Sequence, residues 1–72
     1  MTEPLMITVI RRRRGLTQCE LADLAGINQL LMARIEYEEK IPDDELLEKL
    51  ATILQVDDPK KLLKVWDDSY SN

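Results

Sequence analysis

The chain has 72 residues with one cysteine, no histidine and a formal net charge of −4 at pH 7. With Cys19 alone and no imidazole, the composition excludes an internal disulfide, a Cys/His zinc site and a Ser/His or Cys/His nucleophile pair. So short a chain is read as a single domain, 1–72, burying only about 60% of the surface its unfolded form exposes, with oligomerisation as its remaining source of stability.

No apolar run exceeds four residues, Leu30 to Ala33, so nothing is long enough to span a membrane. The opening Met1-Thr2-Glu3-Pro4 lacks a basic region followed by an apolar one, so no signal peptide is expected and the chain is placed in the cytoplasm. The charge is unevenly spread. Residues 1–34 carry five basic groups against three acidic ones, and residues 35–72 five against eleven, giving +2 and −6. Binding follows the local field rather than the total, so a basic face on an acidic protein is allowed.

Leu and charged residues dominate, Phe is absent and β-branched clusters are few, which favours helices. Five are predicted. The first covers 5–14, with Leu5, Met6, Val9 and Ile10 as its apolar stripe and Gly15 as its stop. The second covers 17–25. Thr17-Gln18-Cys19-Glu20 reads as a capping box, Leu16 and Leu21 as the hydrophobic staple, and Gly26 as the terminator. The third covers 28–37 with Asn28 as N-cap. The fourth, 43–54, opens on Asp43 with acids in its first turn and buries Leu46, Leu47, Leu50, Ile53 and Leu54. The fifth, 59–66, is signalled by Asp58-Pro59 and lined by Leu62, Leu63 and Trp66, with a polar tail at 67–72.

The second and third helices are joined by Ala25-Gly26-Ile27, a turn so tight that a residue free to take positive φ is needed within it. Ala22 and Ala25 let the helices approach, and Leu21, Ile27, Met32 and Ile35 are their shared core. A third helix about 13 Å long fits a major groove about 12 Å wide.

Arg11-x-x-x-Gly15-Leu16-Thr17-Gln18-x-Glu20-Leu21-Ala22-x-x-Ala25-Gly26-Ile27, continued by Ile35-Glu36, Pro42, Leu47, Lys49-Leu50-Ala51, Leu54 and Val56, resembles the phage repressor/Cro-type (XRE-like) helix-turn-helix domain. The likeness runs from about 5 to 63. It implies an all-α, five-helix, lambda-repressor-like fold needing no cofactor or metal. It also implies a recognition helix at 28–37 and a sequence-specific regulator, such as a repressor, that binds a pseudo-palindromic double-stranded operator as a homodimer. The resemblance places Asn28, Gln29, Leu30 and Arg34 at base edges, Gln18 at a phosphate, and Arg11 in a structural pair with Glu36.

The residues leave alternatives beside several of these roles. Asn28 serves equally as a cap, and Gln18 as a solvated helix-start residue. Leu30 suits a thymine methyl or, with Leu31 and Tyr37, a protein-binding patch. Arg12, Arg13 and Arg14 are further phosphate candidates, Arg14 foremost because it lies nearest the second helix, with Lys40 beside them, and Leu62, Leu63, Val65 and Trp66 are the candidate dimer surface. Two departures stand out. Glu38 replaces a Gly usual after Ile35-Glu36, placing two acids, Glu38 and Glu39, where phosphate would repel them, and Gln55 replaces a Gly that often closes the fourth helix. The carboxylate pairs Asp43-Asp44, Asp57-Asp58 and Asp67-Asp68 sit at helix starts or in the tail, so an enzyme is not expected. The alternative function is a protein-interaction module on the same fold, an antitoxin-like or anti-regulator subunit.

Overall fold

The computed structural model describes residues 4–65; Trp66 and the 67–72 tail, named above, lie outside the described residues. The described residues form four α-helices, α1 Met6–Arg13, α2 Gln18–Ala25, α3 Gln29–Glu36 and α4 Asp44–Leu54, followed by a 3₁₀ helix Pro59–Leu63. None is long and apolar enough to cross a membrane.

Local chemistry sets most of the boundaries. Thr17 Oγ1 accepts from the Glu20 amide at 3.0 Å while Glu20 Oε1 accepts from the Thr17 amide at 2.9 Å, closing the capping box of α2. Asn28 Oδ1 accepts from the Leu31 amide at 2.7 Å and Asp43 Oδ1 from the Leu46 amide at 2.8 Å, fixing the starts of α3 and α4. Gly26, at φ +73°, ends α2 and lets the Ile27 amide reach the Ala22 carbonyl at 3.0 Å.

The fifth element departs from the five-helix expectation. Asp58 Oδ1 caps it through the Lys60 amide at 3.1 Å, but its ladder is of the i→i+3 kind, Lys61 to Asp58 at 3.0 Å and Lys64 to Lys61 at 3.2 Å. Lys64 then turns extended at ψ 147°, and Val65 forms an antiparallel bridge with Leu5, the Met6 amide donating to the Lys64 carbonyl at 2.7 Å. That pairing pulls the chain out of helical conformation before residue 66.

Helix α2 packs against α3 and α4, and the 3₁₀ helix against α1 and α4. Ile7, Leu21, Met32, Ile35, Leu50, Leu54 and Leu62 are fully buried at their junction. Leu62 therefore leaves the candidate dimer surface, since it fills the core between α1 and α4. Helix α1 is also rotated from the predicted stripe. Ile7, Thr8 and Arg11 face inward, while Met6, Val9 and Ile10 are only half-buried. Two polar residues face the core because a carboxylate from α3 meets them there.

Two left-handed positions carry opposite expectations. Nothing crowds Gly26 beyond ordinary contact, the nearest atom to an added Cβ being Lys49 Nζ at 3.6 Å. Gly26→Ala therefore bears only the backbone cost of φ > 0, about 1 kcal/mol, and should lower the thermal midpoint by roughly 4–8 °C in a calorimetric scan. Gln55 already bears that strain at φ +60° as the C-cap of α4. Gln55→Gly is expected to raise stability by about 0.5–1 kcal/mol, read as a higher urea midpoint at unchanged slope.

Candidate nucleic-acid interface

Helix α3 has two unlike sides. Met32, Ile35 and Glu36 are buried, whereas Gln29, Leu30, Arg34 and Tyr37 are exposed, Leu30 by 62% and Tyr37 by 73%. At 3.6 residues per turn the exposed four form one stripe along the helix, with half-buried Ala33 at its centre. A cylinder held by one side and free on the other can enter a groove.

The start of α2 offers a second feature. Thr17 satisfies the Glu20 amide, and the Leu21 amide already donates to the Thr17 carbonyl at 3.0 Å. The amides of Gln18 and Cys19 are left without an intrahelical acceptor, at the positive end of the helix dipole. An incoming phosphate oxygen matches both properties. Gln18 is half-buried and lines a cleft of about 340 Å³ with Pro4, Thr8, Arg11, Arg12, Glu36, Tyr37 and Glu38, between α1, the start of α2 and the end of α3.

The cleft floor is an ion pair. Arg11 Nε donates to Glu36 Oε2 at 2.8 Å and Nη2 to Oε1 at 3.1 Å. Both side chains are buried, and the fork is bidentate, the geometry that suits guanidinium and carboxylate best. Thr8 Oγ1 also donates to Glu36 Oε1, at 2.9 Å, and Arg11 Nη1 donates to the Leu16 carbonyl at 2.9 Å. Among the described residues no buried side-chain polar atom lacks a partner.

Some candidates sit elsewhere. Asn28 spends its Oδ1 on the Leu31 amide, so a bidentate adenine contact, which needs both amide atoms, would cost the cap. Arg14 is exposed, but its Nε donates to the Leu54 carbonyl at 3.1 Å, at the C-terminal end of α4 where a cation is favoured. Arg12, in the cleft beside Gln18, is better placed for phosphate. Lys40 lines a separate cavity of about 220 Å³ with Leu5, Ile35, Glu38, Ile41 and Leu63, and does not join Gln18 and Arg12.

Sequence reasoning missed Thr8 and Tyr37 as neighbours of Gln18, and named Arg12 a phosphate candidate while ranking Arg14 above it. For Thr8 the available signal was its place three residues before Arg11, which puts both on one helix face.

Helix α3 ends without the usual glycine. Tyr37 is its C-cap, Glu38 adopts φ +62°, and the Glu39 and Lys40 amides both donate to the Arg34 carbonyl, at 2.8 and 3.2 Å. Glu38 and Glu39 are exposed, and Glu38 shares the cleft with Arg12, which sets an acid beside the candidate phosphate site. Glu20 is held below the usual carboxylate range, first by the Thr17 amide and then by the Thr17 hydroxyl. A carboxyl whose folded pKa is depressed stabilises above its unfolded value and loses that stabilisation as pH falls through the folded one. Acid scans of the thermal midpoint should thus fall less steeply for Glu20→Gln, which retains a capping-box acceptor without the titration.

Two helices joined by a three-residue turn, the second free along its outer face, define a helix-turn-helix domain. A helix-turn-helix family model matches residues 9–60, from within α1 into the 3₁₀ helix. The chain belongs to the XRE family of Cro/C1-type helix-turn-helix domains, a family of DNA-binding regulators that are not typically enzymes. No curated protein and no solved structure matches it.

Proposed function

We propose that this chain is a single-domain, cytoplasmic, sequence-specific transcriptional regulator that reads double-stranded DNA with α3. The observation that carries this reading is the outward stripe of Gln29, Leu30 and Arg34 on a helix whose end, at Glu36 and Tyr37, shares a cleft with Gln18 at the start of α2. Gln29 and Arg34 supply the side chains that bond adenine N6/N7 and guanine O6/N7 bidentately, and Leu30 offers apolar contact to a thymine methyl. Gln18, its amide and Arg12 hold a phosphate, fixing the register in which α3 enters. Asn28 acts first as a cap and contributes a donor only through its free amide nitrogen. Lys40 serves a flanking phosphate at most, separated from the cleft by Glu38.

The domain acts as a homodimer, with its two α3 helices about 34 Å apart on a pseudo-palindromic operator, where it represses transcription. With Leu62 in the core, the surface for this contact is half-buried Leu63 with exposed Val65 and Ile41, the last 80% exposed.

The test is selection of duplexes from a random library followed by anisotropy titration across salt. A recovered consensus with salt-dependent affinity supports the reading; no enrichment and no binding at low salt removes it. A second reading, a protein-interaction module, is favoured by the exposure of Leu30 and Tyr37 next to Glu38 and Glu39. It requires Tyr37→Ala to abolish partner capture while duplexes are ignored.

A further inference from the structure

Glu36 is the last residue of the outward helix and accepts from three donors on α1: the Thr8 hydroxyl and two nitrogens of Arg11. The third nitrogen of the same guanidinium holds the Leu16 carbonyl, one residue before the cap of α2. One buried fork thus touches the end of α3 and the entry to α2. These are the two places whose separation decides whether a phosphate at Gln18 and base edges at Gln29 and Arg34 can be met together.

We propose that Thr8 is a positioning residue for DNA recognition, setting the angle between α2 and α3 by locking the rotation of the Glu36 carboxylate. Oε1 has two donors, Thr8 at 2.9 Å and Arg11 Nη2 at the longer 3.1 Å, and Oε2 has one at 2.8 Å. Without the hydroxyl, Oε1 keeps only its longer bond. The carboxylate can then pivot about the Oε2 contact, Arg11 follows it, and the tie to Leu16 loosens. Thr8 is buried and its hydroxyl donates to Glu36, so the effect of its donor on DNA is transmitted through Glu36 and Arg11.

The proposal deepens the reading of α3 as a recognition helix, and two measurements separate them. Thr8→Val keeps the shape and removes the donor, Thr8→Ser keeps the donor, and Ile53→Val on α4 is a control that loses core volume away from the fork. All are assayed at a temperature where each is folded. In residual dipolar couplings of the free protein, α2 and α3 of Thr8→Val should no longer fit the wild-type relative orientation, while Thr8→Ser and Ile53→Val should fit it.

On a duplex selected from a random library, Thr8→Val should lose about five- to tenfold in affinity, the scale of weakening one hydrogen bond to a charged group. Affinity for a scrambled duplex of the same composition should be unchanged, because non-specific contact does not need the two helices in register. Wild-type orientation in Thr8→Val overturns the proposal, as does an equal loss on both duplexes or in Ile53→Val. If the wild type binds no duplex, the reading of α3 fails and the couplings alone decide the role of Thr8.

Discussion

Glu36→Ala is expected to be the most damaging single substitution at the surface-forming helices, costing about 3–5 kcal/mol. Arg11 would remain in the interior as a charge without its carboxylate, and the Thr8 hydroxyl would lose its acceptor. Domains of this size are stable by roughly 0.05–0.15 kcal/mol per residue, so the loss takes most of the margin. The far-ultraviolet melting midpoint should fall by about 12–40 °C, at roughly 4–8 °C for each kcal/mol. Breaking a buried pair from one side is worse than removing both members, because the survivor cannot be resolvated in place. The double variant Arg11→Met, Glu36→Leu should therefore recover a large part of the midpoint. A single variant that melts within a few degrees of wild type would show that water reaches the fork.

The second large effect concerns recognition. Gln29→Ala combined with Arg34→Ala should abolish selectivity for the selected duplex while the fold persists, since both side chains are exposed and make no side-chain hydrogen bond in the structure's described residues. Each bidentate base contact is worth about 1–3 kcal/mol of discrimination, so the pair accounts for roughly 30- to 10⁴-fold in the ratio of selected to scrambled affinity. The slope of log affinity against log salt should fall only by what Arg34 contributes to phosphate neutralisation, about one unit at most. Retained selectivity with both truncated would move recognition off Gln29 and Arg34.

The sequence carried these features unequally. Starts and stops of α2, α3 and α4 were legible because each rests on a local device: the Thr17–Glu20 box, the Asn28 and Asp43 caps, the free φ of Gly26. The last element was misread because Pro59 signals a helix start without saying how far the helix runs, and its end is set by pairing of Val65 with Leu5, distant in sequence. The rotation of α1 was hidden for a related reason. An apolar stripe marks the buried face only when no partner stabilises polar groups, and Glu36 does so for Thr8 and Arg11.

Within the candidate interface, both the outward positions of α3 and the Arg11–Glu36 pairing were implied by family resemblance rather than by spacing. The placing of Arg14 on the Leu54 carbonyl and of Lys40 beside Leu5 and Leu63 could not be read, because both depend on where α4 and the 3₁₀ helix close against α1. Glu38 was recognised as a departure. The structure shows its consequence: the chain accepts a left-handed glutamate instead of extending α3.

The claim that the outer face of α3 enters DNA is tested most directly by an amide chemical-shift titration of the labelled protein with a selected duplex. Gln18, Cys19, Gln29, Leu30 and Arg34 should move together and saturate at one stoichiometry, with α4 nearly still. Shifts confined to Ile41, Leu63 and Val65, or none at low salt, would contradict it.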